Sequence, residues 1–310
     1  MKNDITNHNK HSTMLKVMGI EIDGIYYQYD YDDKTIGIDH PPRKIPRYSG
    51  AFIIPPSVEW NGNTYAVQSI APGAFSACAG LTSIDIPDTV TDIDNSAFCG
   101  CRGLTAINIP SSVKRIGDSA FMDCSSLTSV TIPGSVTSIE PASLSCCASL
   151  TSIIVEADNP NYDSRNNCNA IIDSKTNILI AGCVKTVIPD NVVGIDEFVF
   201  IGCDGLTTIN IPNSVTSIGT HAFCSCKDLV SIDIPNSVKI IEDKAFAECP
   251  SLNKFQCHYQ SLDDVSIDKE TFDTDVFESC TLIVPPGTES IYQQHEVFGK
   301  FKKIEIERSN

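Results

Sequence analysis

Paired cysteines are the residues of this 310-residue chain whose spacing most resembles a chemical site. One residue separates Cys99 from Cys101, and one residue separates Cys224 from Cys226. Cysteine thiolates bind zinc, and two such pairs together would supply the four ligands of a structural zinc site. The elements that carry the pairs decide whether they can meet, so the fold must be predicted before the zinc hypothesis is judged.

Two further groups suggest a nucleophile and a calcium site. His221 lies three residues before Cys224, but no third group that would orient the histidine is evident, so we expect a surface histidine. Asp30, Asp32 and Asp33 lack the glycine and glutamate spacing of a calcium loop, and we expect a solvated strand face there. The sequence therefore predicts no catalytic residue, no metal site, no cofactor and no enzyme.

A repeat with a period of 23 residues carries these side chains. Its clearest copy, Leu81 to Gly103, reads LTSIDIPDTVTDIDNSAFCGCRG, and the same residue types return in the same slots of other copies. A fixed period of this length is typical of a solenoid, in which each coil contacts its neighbours in the stack. Further copies begin at Leu104, Leu127, Leu206, Leu229 and Leu252.

Each copy contains the residues of one closed coil. Leu81 and Ile86 are predicted to point inward from a strand, which ends at Pro87 because proline holds the preceding residue extended. Phe98 and Cys101 would close the coil from a short helical turn. The predicted fold is a right-handed, β-rich solenoid in which ten stacked strands form one parallel sheet, about 43 Å long at ~4.8 Å per strand.

The register of the coils decides between the roles open to the cysteines. Side chains in a column point the same way about 4.8 Å apart, whereas a disulfide needs Cβ atoms about 3.8 Å apart, so we expect buried free thiols. The two closely spaced pairs lie five coils apart, or roughly 24 Å, which excludes a shared zinc ion. A disulfide between Cys168 and Cys183 remains an alternative. The predicted column is Cys78, Cys101, Cys124, Cys147, Cys203, Cys226 and Cys249.

Two coils are longer than the period, and both extra segments are predicted to be hairpins. Asn61-Gly62, flanked by strand-forming residues, is a strong hairpin signal. Trp60 beside it is expected to pack across the strands on Tyr65, with an interaction anchor as the alternative. The second hairpin would replace a coil's Ala-Phe turn. The predicted organisation is a disordered tail at 1–19, a β cap at 20–48, a solenoid at 49–285 with hairpin insertions near 58–66 and 156–182, and a C-terminal cap at 286–310.

The pattern L-T-S-I-x-I-P-x-S-V-x-x-I-x-x-x-A-F-x-x-C resembles the BspA-like, or treponemal-type, leucine-rich repeat of Bacteroides-type bacteria. The first coil, the second insertion and the terminal segment CTLIVPPGTESIYQQHEVFGKFKKIEI also resemble that family, so the likeness covers roughly 20–307. It implies a leucine-rich-repeat solenoid and a noncatalytic surface adhesin for host matrix, mucosal or microbial surface proteins. It implies no binding residues, because the shared motif is the core of the repeat.

Charge and hydropathy restrict the partners and the compartment. The formal charge of −17, from 39 acidic and 22 basic residues, disfavours nucleic acid and anionic membranes as partners. No apolar stretch reaches the ~20 residues of a membrane span, and MKNDITNHNKHSTMLKVMG lacks the apolar region of a signal peptide. The resemblance nevertheless implies a cell-surface or secreted protein, whose leader would then not be in this sequence. The alternative is a cytoplasmic structural or scaffolding repeat. The oligomeric state is not predicted.

The outward slots of the concave side form the predicted ligand surface. They carry no aromatic ring, so a protein ligand is favoured over a glycan. Ile154 and Val187 are apolar where the neighbouring coils have polar residues, and we expect them to be adjacent to each other. Either the second hairpin buries them or they form an apolar hot spot. The predicted row is Asp85, Asn108, Thr131, Ile154, Val187, Asn210 and Asp233.

Overall fold

A computed structural model describes residues 16–30, 34–42 and 47–308. They form a β-solenoid of about ten turns with little helix, as predicted. Three surfaces run along the stack. The strand face is formed by the first strand of each coil, the ladder face by a short second strand, and the turn face by the Ala-Phe turns.

An antiparallel cap covers the first coil. It contains β1 (Lys16–Ile22), β2 (Ile25–Asp30) and β3 (Thr35–Ile38), and β3 joins the solenoid by parallel pairing with the ladder face. Because β1 begins at Lys16, residues 16–19 are strand, which corrects the disordered tail predicted at 1–19. Residues 1–15 lie outside the described residues.

The first half of the solenoid begins with a hairpin. Trp60 pairs with Asn63, and the two residues between them have positive φ, 50° at Asn61 and 75° at Gly62, as a type I′ turn requires. The predicted hairpin is therefore present. The strands of this half are β4 (Gly50–Ile53), β5 (Ser57–Trp60), β6 (Asn63–Ile70), β7 (Leu81–Asp85), β8 (Asp92–Ile93), β9 (Arg115–Ile116), β10 (Ser129–Ile132), β11 (Ser138–Ile139) and β12 (Ser152–Val155).

The second insertion replaces the turn of its coil, as predicted. Its strands are β13 (Tyr162–Asp163), β14 (Ile171–Asp173) and β15 (Ile178–Ala181), paired antiparallel. On the turn face, the N–H of Cys146 donates to the carbonyl of Ile201 at 3.0 Å, across 55 residues, where a regular step spans 22. The turn ladder thus continues directly from one half of the solenoid to the other.

The second half ends in a helical cap and a last strand. Helix α2 lies against β23, which pairs in parallel with β22 and closes the stack as predicted. The elements of this half are β16 (Gly194–Ile195), β17 (Ser217–Ile218), β18 (Ser231–Ile234), β19 (Ile240–Ile241), β20 (Lys254–Cys257), β21 (Ser266–Ile267), α1 (Thr274–Ser279), β22 (Thr281–Val284), α2 (Glu289–Gln294) and β23 (Lys303–Ile306).

The core consists of columns of identical residues, and the insertion divides it. Buried residues fall into two clusters, one on each side of the second hairpin. Ile171 belongs to the first cluster and Ile172 to the second, because successive strand residues point to opposite sides. The hairpin therefore lies between the two clusters and packs one apolar face against each half.

The strand face differs from the single continuous sheet that the sequence predicts. Its strands form three separate sheets, β4–β7, β10–β12 and β18–β20–β22–β23. Residues 104–109 have no strand pairing, and residue Asn210 contributes an isolated bridge to Asp233. The ladder and turn faces already hold these coils together, so pairing on the strand face can lapse without loss of the stack.

Candidate functional site

The strand face exposes all seven residues of the predicted row. Ile154 is 50% exposed and Val187 is 70% exposed, so the second hairpin does not bury them. That explanation of their apolar character is wrong. Ile53, in the same row at the edge of the sheet, is also 70% exposed. The hot-spot hypothesis for the two central residues therefore stays open.

The second insertion separates Ile154 from Val187. In a regular step, a strand N–H donates to the carbonyl of the preceding coil, as Val230 does to Thr207 at 2.8 Å. The N–H of Val187 donates instead to the carbonyl of Cys168 at 3.0 Å. Cys168 thus takes the place of the preceding coil, which corrects the expectation that the two apolar residues are direct neighbours.

Acidic and polar groups lie toward the two ends of the row. Asp233 Oδ1 is 2.6 Å from His258 Nε2, and His258 Nδ1 is 3.8 Å from Glu307 Oε2. Asp190, Asn210, Asp233 and His258 contribute to a cavity of about 310 Å³. Polar groups therefore line the C-terminal end of the row.

A second cavity lies toward the N-terminal end of the row. Asn108, Thr131 and Glu156 contribute to its lining, and its volume is about 380 Å³. Glu156, Asp190, His258 and Glu307 were not among the surface residues predicted from the sequence. Asp190 could have been found because it directly follows an Ile-Pro pair. His258 could have been found from the strand register, because it follows Gln256 by two residues and therefore faces the same way.

Most thiols of the cysteine column donate a hydrogen bond to the preceding coil. The thiol of Cys101 donates to the carbonyl of Phe75 at 3.1 Å, and the thiol of Cys226 donates to that of Phe200 at 3.1 Å. All fourteen cysteines are free, as expected for the column, so the Cys168–Cys183 disulfide is wrong. The thiol of Cys183 instead donates to the carbonyl of Asn169 at 3.4 Å. The thiols thus act as hydrogen-bond donors between neighbouring segments.

A family profile described as BspA type Leucine rich repeat region matches residues 59–171 and 181–295 in six copies. The chain belongs to this family. The matched segments include the column residues and both central residues of the strand face, so the resemblance seen in the sequence is confirmed.

Solved structures share the fold of this BspA-type protein at low sequence identity. A leucine-rich cell surface protein of Faecalibacterium prausnitzii has a TM-score of 0.52 and 20% identity, covering 95% of this chain and 96% of that one. A leucine-rich repeat protein of Eubacterium ventriosum has a TM-score of 0.56 and 20% identity, covering 94% and 85%. The pneumococcal vaccine antigen PcpA has a TM-score of 0.50 and 15% identity, covering 94% and 99%. No curated protein matches the chain.

Burial makes the thiols of the closely spaced cysteine pairs in this BspA-type chain weaker acids. Burial raises the pKa of Cys101 to about 12 and raises the pKa of Cys224 and Cys99 above the ordinary thiol value. These thiols are therefore protonated near pH 7, when a nucleophile or a zinc ligand must be a thiolate. Among the described residues, no His, Cys, Asp and Glu side chains are grouped so that they could hold a metal ion.

The remaining candidate residues have structural surroundings. His221 is half-buried on the turn face and stacks on Phe198, with ring centroids 5.4 Å apart. Asp30 is buried, while Asp32 and Asp33 lie outside the described residues. Trp60 packs on Tyr65 at 6.1 Å as predicted, and also on Tyr29 of the cap at 4.9 Å. Of the residues that the structure describes, no helix is long and apolar enough to cross a membrane.

Proposed function

We propose that this chain is a noncatalytic protein-interaction solenoid of a bacterial surface adhesin, which binds a host matrix or microbial surface protein on its strand face. The observation that carries the proposal is the exposure of Ile154 and Val187 at the centre of that face. Water contact with two branched apolar side chains is unfavourable by about 25 cal/mol per Å², and a partner would relieve it. Central apolar residues surrounded by polar ones are typical of interface hot spots.

Two further observations support the adhesin proposal. The fold is shared with a protein described as a cell surface protein, and PcpA is described as a vaccine antigen. Solenoids present extended surfaces to partners because each coil adds one row of side chains. The net charge of −17 disfavours nucleic acid as that partner.

Binding of the purified chain to immobilised fibronectin, fibrinogen, collagen and mucin tests this function. We expect saturable binding to at least one of them, abolished by Ile154→Lys/Val187→Lys. The matched control is Val193→Lys/Ile240→Lys, which alters two residues of the ladder face that are 39% and 46% exposed. Circular dichroism establishes that each variant is folded. Binding that survives in the first variant, or is lost equally in the control, would contradict a strand-face site.

The fourteen free cysteines favour a second candidate function, an intracellular structural or scaffolding repeat. Free thiols persist in reducing compartments, whereas secreted proteins commonly pair them. Fractionation of the native cells separates the two candidates, since an adhesin is recovered with the envelope or the medium and a scaffold with the cytosol.

A further inference from the structure

We propose that the strand face binds an extended segment of its partner that has an apolar residue at the centre and Lys or Arg on both sides. This inference rests on the proposed function, because it names the ligand of the same surface. The structure supplies an apolar centre, two acidic ends and a length, and each of these corresponds to one property of the segment.

The apolar centre selects the middle of the segment. Ile154 and Val187 lie on either side of the Cys168 segment and are both at least half exposed. The flanking row positions, Asn108 and Thr131 on one side and Asn210 on the other, are polar. A leucine, isoleucine or aromatic side chain placed at the centre would cover both branched residues and lose its own contact with water.

The carboxylates toward the ends of the row select basic flanks. In the described part of the chain, the carboxylates of Asp85 and Asp190 have no hydrogen bond or ion pair, and Asp233 contacts only a histidine side chain. Some acidic groups on the turn face are paired within the chain, as Asp123 is with Arg102 at 2.7 Å. The strand-face carboxylates therefore remain available to cations of a partner.

The basic residues of the strand face lie in the neighbouring row, two positions earlier in their strands. They include Lys185, beside Val187, Lys254, beside Gln256, and Lys303 in the last strand. None of them lies beside Asp85, and the chain as a whole is strongly acidic. An acidic segment would therefore meet repulsion at the two ends of the row.

The spacing of the acidic ends sets the length of the segment. From Asp85 to Asp233 there are seven strand spacings if the insertion counts as one, or about 34 Å. An extended chain advances about 3.3 Å per residue, so about ten residues reach from one end to the other. The cavity of about 380 Å³ lies toward the N-terminal end of the row and the cavity of about 310 Å³ lies at its C-terminal end, where they can receive flanking side chains.

Selection from a phage-displayed library of random peptides of this length, on the immobilised full chain at low salt, tests the proposal. We expect enrichment of peptides with Lys or Arg flanking a central apolar residue. A synthetic peptide of the enriched sequence should bind about tenfold more weakly to Ile154→Ser/Val187→Ser and about tenfold more weakly to Asp85→Asn/Asp233→Asn. Added salt should weaken binding to the wild type more than to the second variant.

Matched controls remove similar groups elsewhere. Val193→Ser/Ile240→Ser removes exposed apolar side chains from the ladder face, and Asp118→Asn/Asp275→Asn removes exposed carboxylates outside the strand face. Both should leave peptide affinity unchanged.

The outcomes separate this inference from the proposed function. A different enriched motif whose binding is lost in Ile154→Ser/Val187→Ser would overturn the ligand class and leave the strand-face site in place. No enrichment would overturn the peptide ligand alone, because binding to the immobilised proteins tests the site separately. Enrichment that is unchanged on the folded variant would overturn both.

Discussion

The two halves of the solenoid are made from the same repeat but form separate cores. In the first half, Phe75, Phe98 and Phe121 stack with centroids 5.2 and 5.4 Å apart. The second half has its own column of stacked rings, which begins at Phe200. Two coils separate these columns: Leu144 fills the phenylalanine slot of the first, and the hairpin replaces the turn of the second. A repeat array thus acquires two hydrophobic cores by substituting one turn.

The connection between the halves differs from face to face. On the ladder face, one sheet ends at β11 and another begins at β13. On the turn face the hydrogen-bond ladder continues, and the hydroxyl of Ser145 also donates to the carbonyl of Phe198 at 3.2 Å. The halves are therefore joined by backbone hydrogen bonds on one side and by the two-faced hairpin on the others. Cooperativity between them should be weaker than within each half.

Truncation of the central ring in each column should show the largest effect. Phe98→Ala and Phe223→Ala each remove a fully buried ring between two others, which should cost about 3–5 kcal/mol of unfolding free energy. We expect hydrogen exchange, measured by mass spectrometry, to lose protection mainly in the half that carries the substitution. Ile291→Ala, at a side chain that is 41% exposed, is the control and should change little. Equal loss of protection throughout the chain in both variants would show a single cooperative unit.

The sequence predicts this architecture because its repeat is redundant. The leucine of Leu81 and the cysteine of Cys101 each recur in six other coils and the phenylalanine of Phe98 in five, so an irregular copy is identified by comparison with the others. The division of the strand face at residues 104–109 has no such signal, since that copy matches the pattern as well as its neighbours do. Strand pairing depends on small backbone shifts between coils, which the residue types do not encode.

The candidate site was predictable in part for a related reason. The period of two along a strand fixes which side chains face outward, so Asp85 and Asp233 could be placed on one surface. The position of Cys168 between Ile154 and Val187 was not predictable, because a hairpin that leaves the repeat also leaves its register. For the same reason the contact between Glu307 and His258 was missed.

Substitution of Arg165, a hydrogen-bonded residue inside the second hairpin, should have an effect on stability smaller than that of the ring truncations. Arg165 donates from Nε to Asp163 Oδ1 at 2.7 Å and from Nη1 to Asn177 Oδ1 at 2.7 Å, and the carbonyl of Asn177 accepts from the N–H of Val193 in the next coil. Arg165→Met should lower the unfolding free energy by about 2 kcal/mol, since it breaks charged hydrogen bonds that are largely shielded from water. Urea denaturation should then separate into two transitions.

The acid dependence of stability provides an independent measure of the same contact. Burial raises the pKa of Asp163, but hydrogen bonds from Arg165 and Ser174 outweigh burial and hold that pKa below its ordinary value. The associated stability is complete above the unfolded value of about 3.9 and is lost as the pH falls through the lower folded value. Arg165→Met should therefore flatten the acid limb. Lys227→Met, which breaks an exposed ion pair with Asp204, should leave that limb nearly unchanged. An identical acid limb in wild type and Arg165→Met would contradict this role.

The smallest expected difference in unfolding free energy is between alanine variants of two column cysteines, Cys226 within the second half and Cys203 at its start. The thiol of Cys226 donates to the Phe200 carbonyl of the preceding coil, whereas the thiol of Cys203, the first column residue after the second hairpin, has no hydrogen-bond partner in the described part of the chain. Cys226→Ala should cost about 2 kcal/mol and Cys203→Ala about 1 kcal/mol, as measured by urea denaturation at neutral pH.

The pH dependence of stability above neutral pH tests the effect of burial, which raises the pKa of both thiols although only that of Cys226 is hydrogen-bonded. Burial raises the pKa of Cys203 to about 12 and raises that of Cys226 well above the ordinary value. A raised folded pKa gives stability that is complete below the unfolded value of about 8.5 and is lost as the pH rises toward the folded value. Each alanine variant should remove part of this alkaline loss. If Cys203→Ala proved as costly as Cys226→Ala at neutral pH, the hydrogen bond to the preceding coil would not be what distinguishes a column thiol from one at the junction.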